Sequence, residues 1–240
     1  MATSQISHEV TGKIKKRMTT ERIKWNRTYH FPWSPGTTSD DRILPSIEHF
    51  LGREIVVTEK VDGENTTMYS DGHTHARSVD SKHHWSRTRM KQTAERLKNL
   101  DLPDTWTIHG ENMVAKHSIQ YSSLTGYFLV FGICDRRQTL LSWDETVDIA
   151  HNLLGLQTVP VLYRGVWDEE RVKACFTGES LFGGQQEGYV VRFADAFPFD
   201  EYQLAAAKYV RAKHCGTGPH WLRQKPEYNL LKGEEDETSS

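Results

Sequence analysis

Between positions 54 and 70 two strand-length runs, "EIVVTEK" and "ENTTMYS", mix β-branched and polar residues and are separated by Val-Asp-Gly. Runs of this length and composition, bounded by turn residues, predict strands. The same pattern predicts strands at 54–60, 64–70, 73–79, 105–111, 126–135, 158–164, 187–193 and 206–212. Helical signals are more distinct at 83–100 and at 143–154; the second opens with the capping-box pattern Ser142-Trp-Asp-Glu145 and closes at Gly155. A third helix is expected at about 168–176, with short ones near "TTERIKW" and at "PSIEHFLG", the latter ended by Gly52. The stretch "TYHFPWSPGTTSDD" (28–41), dense in Pro, Gly, Ser and Thr, reads as loop.

Strands dominate and do not alternate strictly with helices, which points to an α+β domain with antiparallel sheets rather than a parallel α/β sheet. No internal repeat and no linker divides the chain. The expected organisation is a basic lead-in and Pro/Gly-rich loop (1–53) packing on a single core (54–230), then an acidic tail (231–240) too poor in apolar residues to order itself.

Composition narrows the class. The longest apolar runs, such as "YFLVFGIC", are too short to span a bilayer, and the N-terminus lacks the apolar stretch of a secretory signal. Three widely spaced cysteines, Cys134, Cys175 and Cys215, argue against a disulfide framework and for a reducing compartment, so a cytoplasmic protein (host cytoplasm if phage-encoded) is expected. The histidines and cysteines have no spacing typical of a structural zinc site. Net charge is −2, so affinity for a polyanion must come from local clustering. Such clustering exists at 81–100, where Lys82, Arg87, Arg89, Lys91, Arg96 and Lys98 face only Glu95. That helix is either a solvated face or a contact for RNA.

Four stretches place charges inside strand-like surroundings: "TEKVDGEN" (58–65), "TIHGEN" (107–112), "EGYVVRF" (187–193) and "AKYVRAKH" (207–214). Buried unpaired charges are costly, so these should converge on a pocket or on one another. Together they offer a lysine at a turn, carboxylates beside glycine at Glu111 and Glu187, and a basic group of Lys208, Arg211 and Lys213. That inventory suits a nucleoside triphosphate: cations for phosphates, carboxylates for a divalent ion or ribose hydroxyls, and a lysine able to act as nucleophile.

Lys60-Val-Asp62-Gly63 matches the KxDG signature of covalent nucleotidyltransferases, which include DNA ligases, RNA ligases and capping guanylyltransferases. A pattern this short recurs by chance, but "HGEN", "YFLVFGICD", "EGYVV" and "AKYVRAKH" follow in the order of the family's later motifs. The resemblance covers roughly residues 54–214, and Asn65, where DNA ligases and capping enzymes usually carry arginine, makes it closest to nick-sealing RNA ligases. It implies an antiparallel-sheet, ATP-grasp-like ligase adenylation domain; neither flank is long enough to make an OB-fold domain evident.

The resemblance also implies roles. Lys60 would attack the α-phosphate of ATP and hold AMP, with Mg²⁺ (or Mn²⁺) on Glu187 and, more weakly, Asp62. Glu111 would bind ribose hydroxyls. Phe131 would stack on adenine, unless it is only a core residue, and the backbone around Glu59 would read the base edge. Asn65 and Arg77 would contact the α-phosphate and the reactive ends, with Gly63 completing the turn. Among the basic residues, the family's alternate spacing favours Arg211 with Lys213, which strand alternation places opposite Lys208; Lys208 remains open. The implied partner is RNA, as free ends or as a nicked duplex with an RNA 3′-OH strand, engaged by a monomer that could serve RNA repair. Two other readings stand beside RNA ligation: a capping-type guanylyltransferase and a non-catalytic RNA-end-binding module. DNA ligation is disfavoured.

Overall fold

The β-branched runs become strands of two sheets in the computed structural model, which describes residues 22–100, 102–103, 105–212 and 226–234. In chain order the strands are β1 (Tyr29–His30), β2 (Glu54–Lys60), β3 (Glu64–Tyr69), β4 (Thr74–Ala76), β5 (Thr107–Asn112) and β6 (Phe128–Cys134). They continue with β7 (Thr139–Leu140), β8 (Gln157–Thr158), β9 (Val161–Val166), β10 (Gly188–Phe193), β11 (Phe197–Pro198) and β12 (Ala206–Val210). One sheet has the order β1-β12-β10-β2-β9, antiparallel except where β1 joins β12. The other has the order β11-β7-β6-β5-β3-β4, with β8 added in parallel to β6.

Alternation decides which way each sheet faces. In the first, Ile55, Val57, Tyr189, Val191 and Ala207 point to one side, where they bury against Phe31 and Phe50. Their neighbours Thr58, Lys60, Val190, Arg192 and Lys208 are left for the side that meets the second sheet. The second sheet is backed by helix α1 (Thr88–Lys98), whose Met90, Ala94 and Leu97 recur at helical spacing and pack on Met68, Ile108, Val130 and Ile133. The basic residues of this segment therefore occupy the faces that α1 does not bury.

Several elements differ from the sequence reading for local reasons. The run at 158–164 is split: Pro160, which lacks an N–H, separates β8 in one sheet from β9 in the other. The strand predicted at 73–79 covers only β4, which leaves Arg77 in the bend that follows, and the strand at 206–212 ends at Val210. The helix at 83–100 opens as a 3₁₀ turn over Trp85–Arg87. Helix α2 (Trp143–Asp148) has the expected capping box and continues as a π turn over Ile149–Leu153, with Gly155 at φ +62° beyond it. Helix α3 (Glu169–Ala174) falls where expected, "PSIEHFLG" forms only a 3₁₀ turn at Glu48–Phe50, and a four-residue α4 (Tyr202–Ala205) was not anticipated. The described part of "TTERIKW", residues 22–25, is not helical. The loop at 28–41 supplies β1, which registers His30 against Lys208.

The first residues assigned to the acidic tail are held in place. Leu231 bridges Leu124, and the Glu234 carboxylate accepts hydrogen bonds from Tyr127 Oη (2.9 Å) and the Leu231 N–H (2.8 Å). Residues 235–240 lie outside the described residues. Among the described residues no helix is long and apolar enough to cross a membrane.

Candidate active site

Val61, Asp62 and Gly63 carry the chain out of β2 in one sheet and into β3 in the other. Lys60, the last residue of β2, therefore stands where the two sheets part. Two glycines allow the close approach there. A Cβ on Gly63 would lie 2.6 Å from the Asn112 carbonyl oxygen and 2.8 Å from Met113 Sδ. Gly188, paired directly with Lys60 across the sheet, has the Tyr209 carbonyl oxygen where its Cβ would be. Side chains at either position would push β3 from β5, or β10 from β12.

Between the sheets lies a cavity of about 240 Å³. Lys60, Thr58, Val190, Arg192 and Lys208 line it from the first sheet, and Asn65, Glu111, Phe131 and Leu140 from the second. Glu59, Arg77, Asp41, Tyr202 and the segment Trp25–Thr28 complete the wall. Phe131 is half-buried, its ring set edge-on against Trp25 at 4.9 Å, so it serves both packing and the cavity surface.

The charges are arranged unevenly. Lys60 Nζ donates to Glu187 Oε2 at 2.6 Å, and Glu187 is almost fully buried. Burial works against the lysine's charge, but the carboxylates of Glu187 and Glu111 outweigh it and hold Lys60 above the ordinary lysine range. Burial pushes the Glu187 carboxyl up to about 6 despite Lys60, and pushes Glu111 up to about 8. Lys208 is lowered by burial and by its neighbour Lys60; its Nζ lies 3.7 Å from Asp41 Oδ1. Burial would raise Asp41, yet hydrogen bonds from the Thr38 hydroxyl and N–H, with Lys208 and His30 nearby, hold it at about 2. The ligand-free site thus holds Lys60 as an ammonium paired to a buried carboxylate.

Of the residues singled out from the sequence, Lys60, Glu59, Asn65, Arg77, Glu111, Phe131 and Lys208 meet at one cavity, with Glu187 directly against Lys60. The Oδ1 atom of Asn65 is buried without a hydrogen-bond partner, an open polar position in the wall. The side chain of Glu59 turns to the opposite face, where Oε2 accepts from the Leu181 N–H, so only its backbone is placed toward the cavity. Asp62 is engaged elsewhere: its Oδ2 accepts from the Ser118 N–H, Ser118 Oγ and the Ile119 N–H. Arg211 lies past the end of β12, does not line the cavity, and donates its N–H to the Glu187 carbonyl. Of the basic residues, β12 turns Lys208 inward to line the cavity, while Lys213, the favoured partner of Arg211, lies outside the described residues.

Other residues at the site escaped the sequence reading. Asp41 comes from the Pro/Gly-rich loop and Trp25–Thr28 from the lead-in. Arg192 is 4% exposed, donates Nη2 to the Leu141 carbonyl (2.5 Å), leaves Nη1 without a partner, and is lowered to about 10 by burial. Its place two residues after Val190 in a β run was the available signal. Among the described residues no group of three or more His, Cys, Asp or Glu side chains is set to hold a metal ion. Glu187 nonetheless suits Mg²⁺, which takes one or two protein carboxylates and fills its remaining positions with substrate phosphates and water.

A lysine at the end of a central strand, facing a cavity with an apolar wall and several cations, between two mainly antiparallel sheets, defines a class of α+β fold. Within that class the chain belongs to the RNA ligase family, whose sequence profile matches residues 53–210. Comparison with curated proteins gives no match. Among solved structures the chain is similar to Naegleria gruberi RNA ligase with PPi, at 20% identity and TM-score 0.51, over 88% of this chain and 61% of that one. A lysine-to-alanine mutant of the same ligase, with ATP and Mn, is similar at 21% identity and TM-score 0.47, over 79% of this chain and 61% of that one. At such identity the first likeness shows the fold, and the chain spans 61% of the length of the ligase it matches.

Proposed function

We propose that the chain is the adenylation unit of an ATP-dependent RNA ligase that joins a 3′-OH to a 5′-phosphate through lysyl-AMP. The observation that carries this reading is the Lys60 ammonium on buried Glu187, at the edge of a nucleotide-sized cavity that Lys208 and Arg77 also line. Phe131 and Val190 offer the flanks of a base site, Glu111 a ribose partner and Asn65 an open polar atom near the nucleophile.

The first step requires Lys60 to lose a proton. Glu187 is in hydrogen-bond contact and, with its carboxyl raised to about 6, is a better base than an ordinary glutamate. The freed amine attacks the α-phosphorus, an N–P bond forms and pyrophosphate leaves. Mg²⁺ (Mn²⁺ substituting) would supply neutralisation of the phosphate charge, held through phosphate oxygens while Glu187 carries the proton and on Glu187 as well when it does not. Lys208 and Arg77 supply fixed positive charge from the protein. In the second step a 5′-phosphate oxygen attacks the same phosphorus, the N–P bond breaks, Glu187 returns the proton to the lysine, and AppRNA results. In the third the 3′-OH attacks AppRNA and releases AMP. These transfers depend on positioning and charge neutralisation.

The test is incubation of the purified protein, first stripped of AMP with pyrophosphate, with α-labelled ATP and Mg²⁺. A covalent, acid-labile AMP adduct that Lys60→Ala abolishes is expected; no adduct would refute the reading. Exclusive labelling from GTP would replace it with capping chemistry, and RNA binding without an adduct would make the chain a binding module. Sealing of matched nicks with RNA or DNA 3′-OH strands then identifies the polynucleotide.

A further inference from the structure

Beside the Lys60 cavity lies a second, more open cleft of about 470 Å³, lined by Lys24, Trp25, Asn26, Arg27, Arg77 and Ser78. It shares Trp25, Asn26, Arg27 and Arg77 with the first cavity, so the two adjoin along one wall. Its lining holds three cations and no carboxylate. Three acids act on these cations from outside the lining: Asp41, which also faces Lys208, exposed Asp40, which accepts from Arg27 Nη1, and exposed Asp80, which accepts from the Ser78 hydroxyl while lying close to Lys24. Arg27 Nε and Nη2 make no hydrogen bond, and neither Lys24 nor Arg77 has an ion-pair partner, among the described residues. The cations also crowd one another, since burial and then Arg27 lower the Arg77 guanidinium. Three like charges turned into a cleft whose own lining holds no carboxylate are arranged for an anion.

We propose that this cleft is the seat of the 5′-phosphate of the strand that receives AMP. The assignment rests on the ligase reading above and adds to it Lys24 and Arg27, from the segment that precedes the catalytic core. A phosphate monoester in the cleft would place its oxygens next to the cavity that holds the lysyl-AMP. There an oxygen forms the new P–O bond to the AMP phosphorus as the N–P bond to Lys60 breaks. The openness of the cleft leaves a path for the rest of the strand. Fork-shaped Arg27 and Arg77 match a terminal phosphate, and Lys24 at the exposed rim adds a point charge.

The same anion chemistry could come from the pyrophosphate released by ATP, and two arms of one experiment separate the sources. Labelled enzyme–AMP is chased either with 5′-phosphorylated RNA, giving AppRNA, or with pyrophosphate, giving ATP. For Lys24→Glu and Arg27→Ala, AppRNA formation is expected to fall roughly tenfold or more, the size of one or two lost charge-assisted hydrogen bonds. For Lys24→Glu, which lines only the second cleft, the pyrophosphate arm should stay within about twofold of the parent, and Lys24→Arg should restore the RNA arm. An equal fall in both arms would assign the cleft to pyrophosphate, and no fall in either would leave it without a phosphate role; each overturns the proposal.

A binding arm is independent of the covalent chemistry. Lys60→Ala protein should bind a fluorescent 5′-phosphorylated RNA roughly fivefold or more tightly than its 5′-hydroxyl twin, and Lys24→Glu should erase that preference. If the parent forms no lysyl-AMP, the ligase reading fails, while the cleft stands or falls on this preference. Lys24 is exposed, so its substitution leaves the core intact.

Discussion

Lys60 and its two carboxylates set the chemistry at the scale of single residues. Because the Lys60 proton passes to Glu187, adduct formation by the parent should rise as Glu187 ionises through about 6 and then stay level up to the ordinary lysine range. Initial rates of labelling against pH test this. Replacing Glu187 separates charge from reactivity. In Glu187→Gln the burial that opposes the ammonium is less compensated, so Lys60 should react faster with a small acylating reagent at pH 8. Labelling from ATP should nevertheless fall about 10²–10⁴-fold, the usual range for losing a proton acceptor.

Glu111 makes an opposite kind of prediction. Its carboxyl is raised from 4.5 to about 8, so the protonated form favours folding; that contribution is complete below pH 4.5 and is lost as pH rises through about 8. Glu111→Gln keeps a neutral side chain at all pH values. Its Tm should therefore exceed the parent's at pH 8 by more than at pH 5, with each kcal/mol worth about 2–4 °C for a chain of this size. Calorimetry at the two pH values measures the difference.

At the scale of elements, the β2–β3 junction and a strap formed by residues 226–234, which reaches it through Met113 and Tyr121, fix where Lys60 stands. Gly63→Ala must displace the Asn112 backbone or the turn itself, since the nearest atoms include a carbonyl oxygen rather than only flexible side-chain ends. Displacements near 1 Å can cost about 10²-fold in rate, so labelling should drop by that order while the folded state persists. The strap acts through Asn229, fully buried, which donates Nδ2 to the Met113 (2.9 Å) and Ala115 (3.2 Å) carbonyls and accepts from the Tyr121 N–H (2.9 Å). Tyr121 Oη in turn accepts from the Asp62 N–H at 2.9 Å. Asn229→Ala would leave buried backbone groups unpaired, at a cost of about 1–3 kcal/mol each, and should lower Tm and slow labelling together. A drop in Tm with normal labelling would show that the strap stabilises the fold without setting the site.

The whole molecule adds the coupling between the sheets. The cavity takes walls from both, so a nucleotide held there ties together elements far apart in sequence. Adenylylated protein should accordingly show slower amide exchange than the AMP-free form in β2, β6, β10 and β12 together, while α1, on the far face of the second sheet, stays unchanged. Protection confined to the Lys60 turn would contradict this picture.

The amino-acid sequence by itself determined most strands of the core and the helix caps at Ser142 and Gly155, and it picked out Lys60, Asn65, Glu111 and Glu187, which the fold brings to one cavity or directly against it. These are local facts: β-branched runs, turn residues and short motifs act over a few neighbouring positions. The tertiary structure alone decided that Lys208 rather than Arg211 faces the cavity, because β12 ends at Val210 and its pleat turns Lys208 inward. It alone turned Asp62 toward Ser118 and brought Asp41, Arg192 and Trp25–Thr28 to the site. Those placements depend on strand register and on which sheet an element joins, and both are set by pairing between segments that are far apart along the chain.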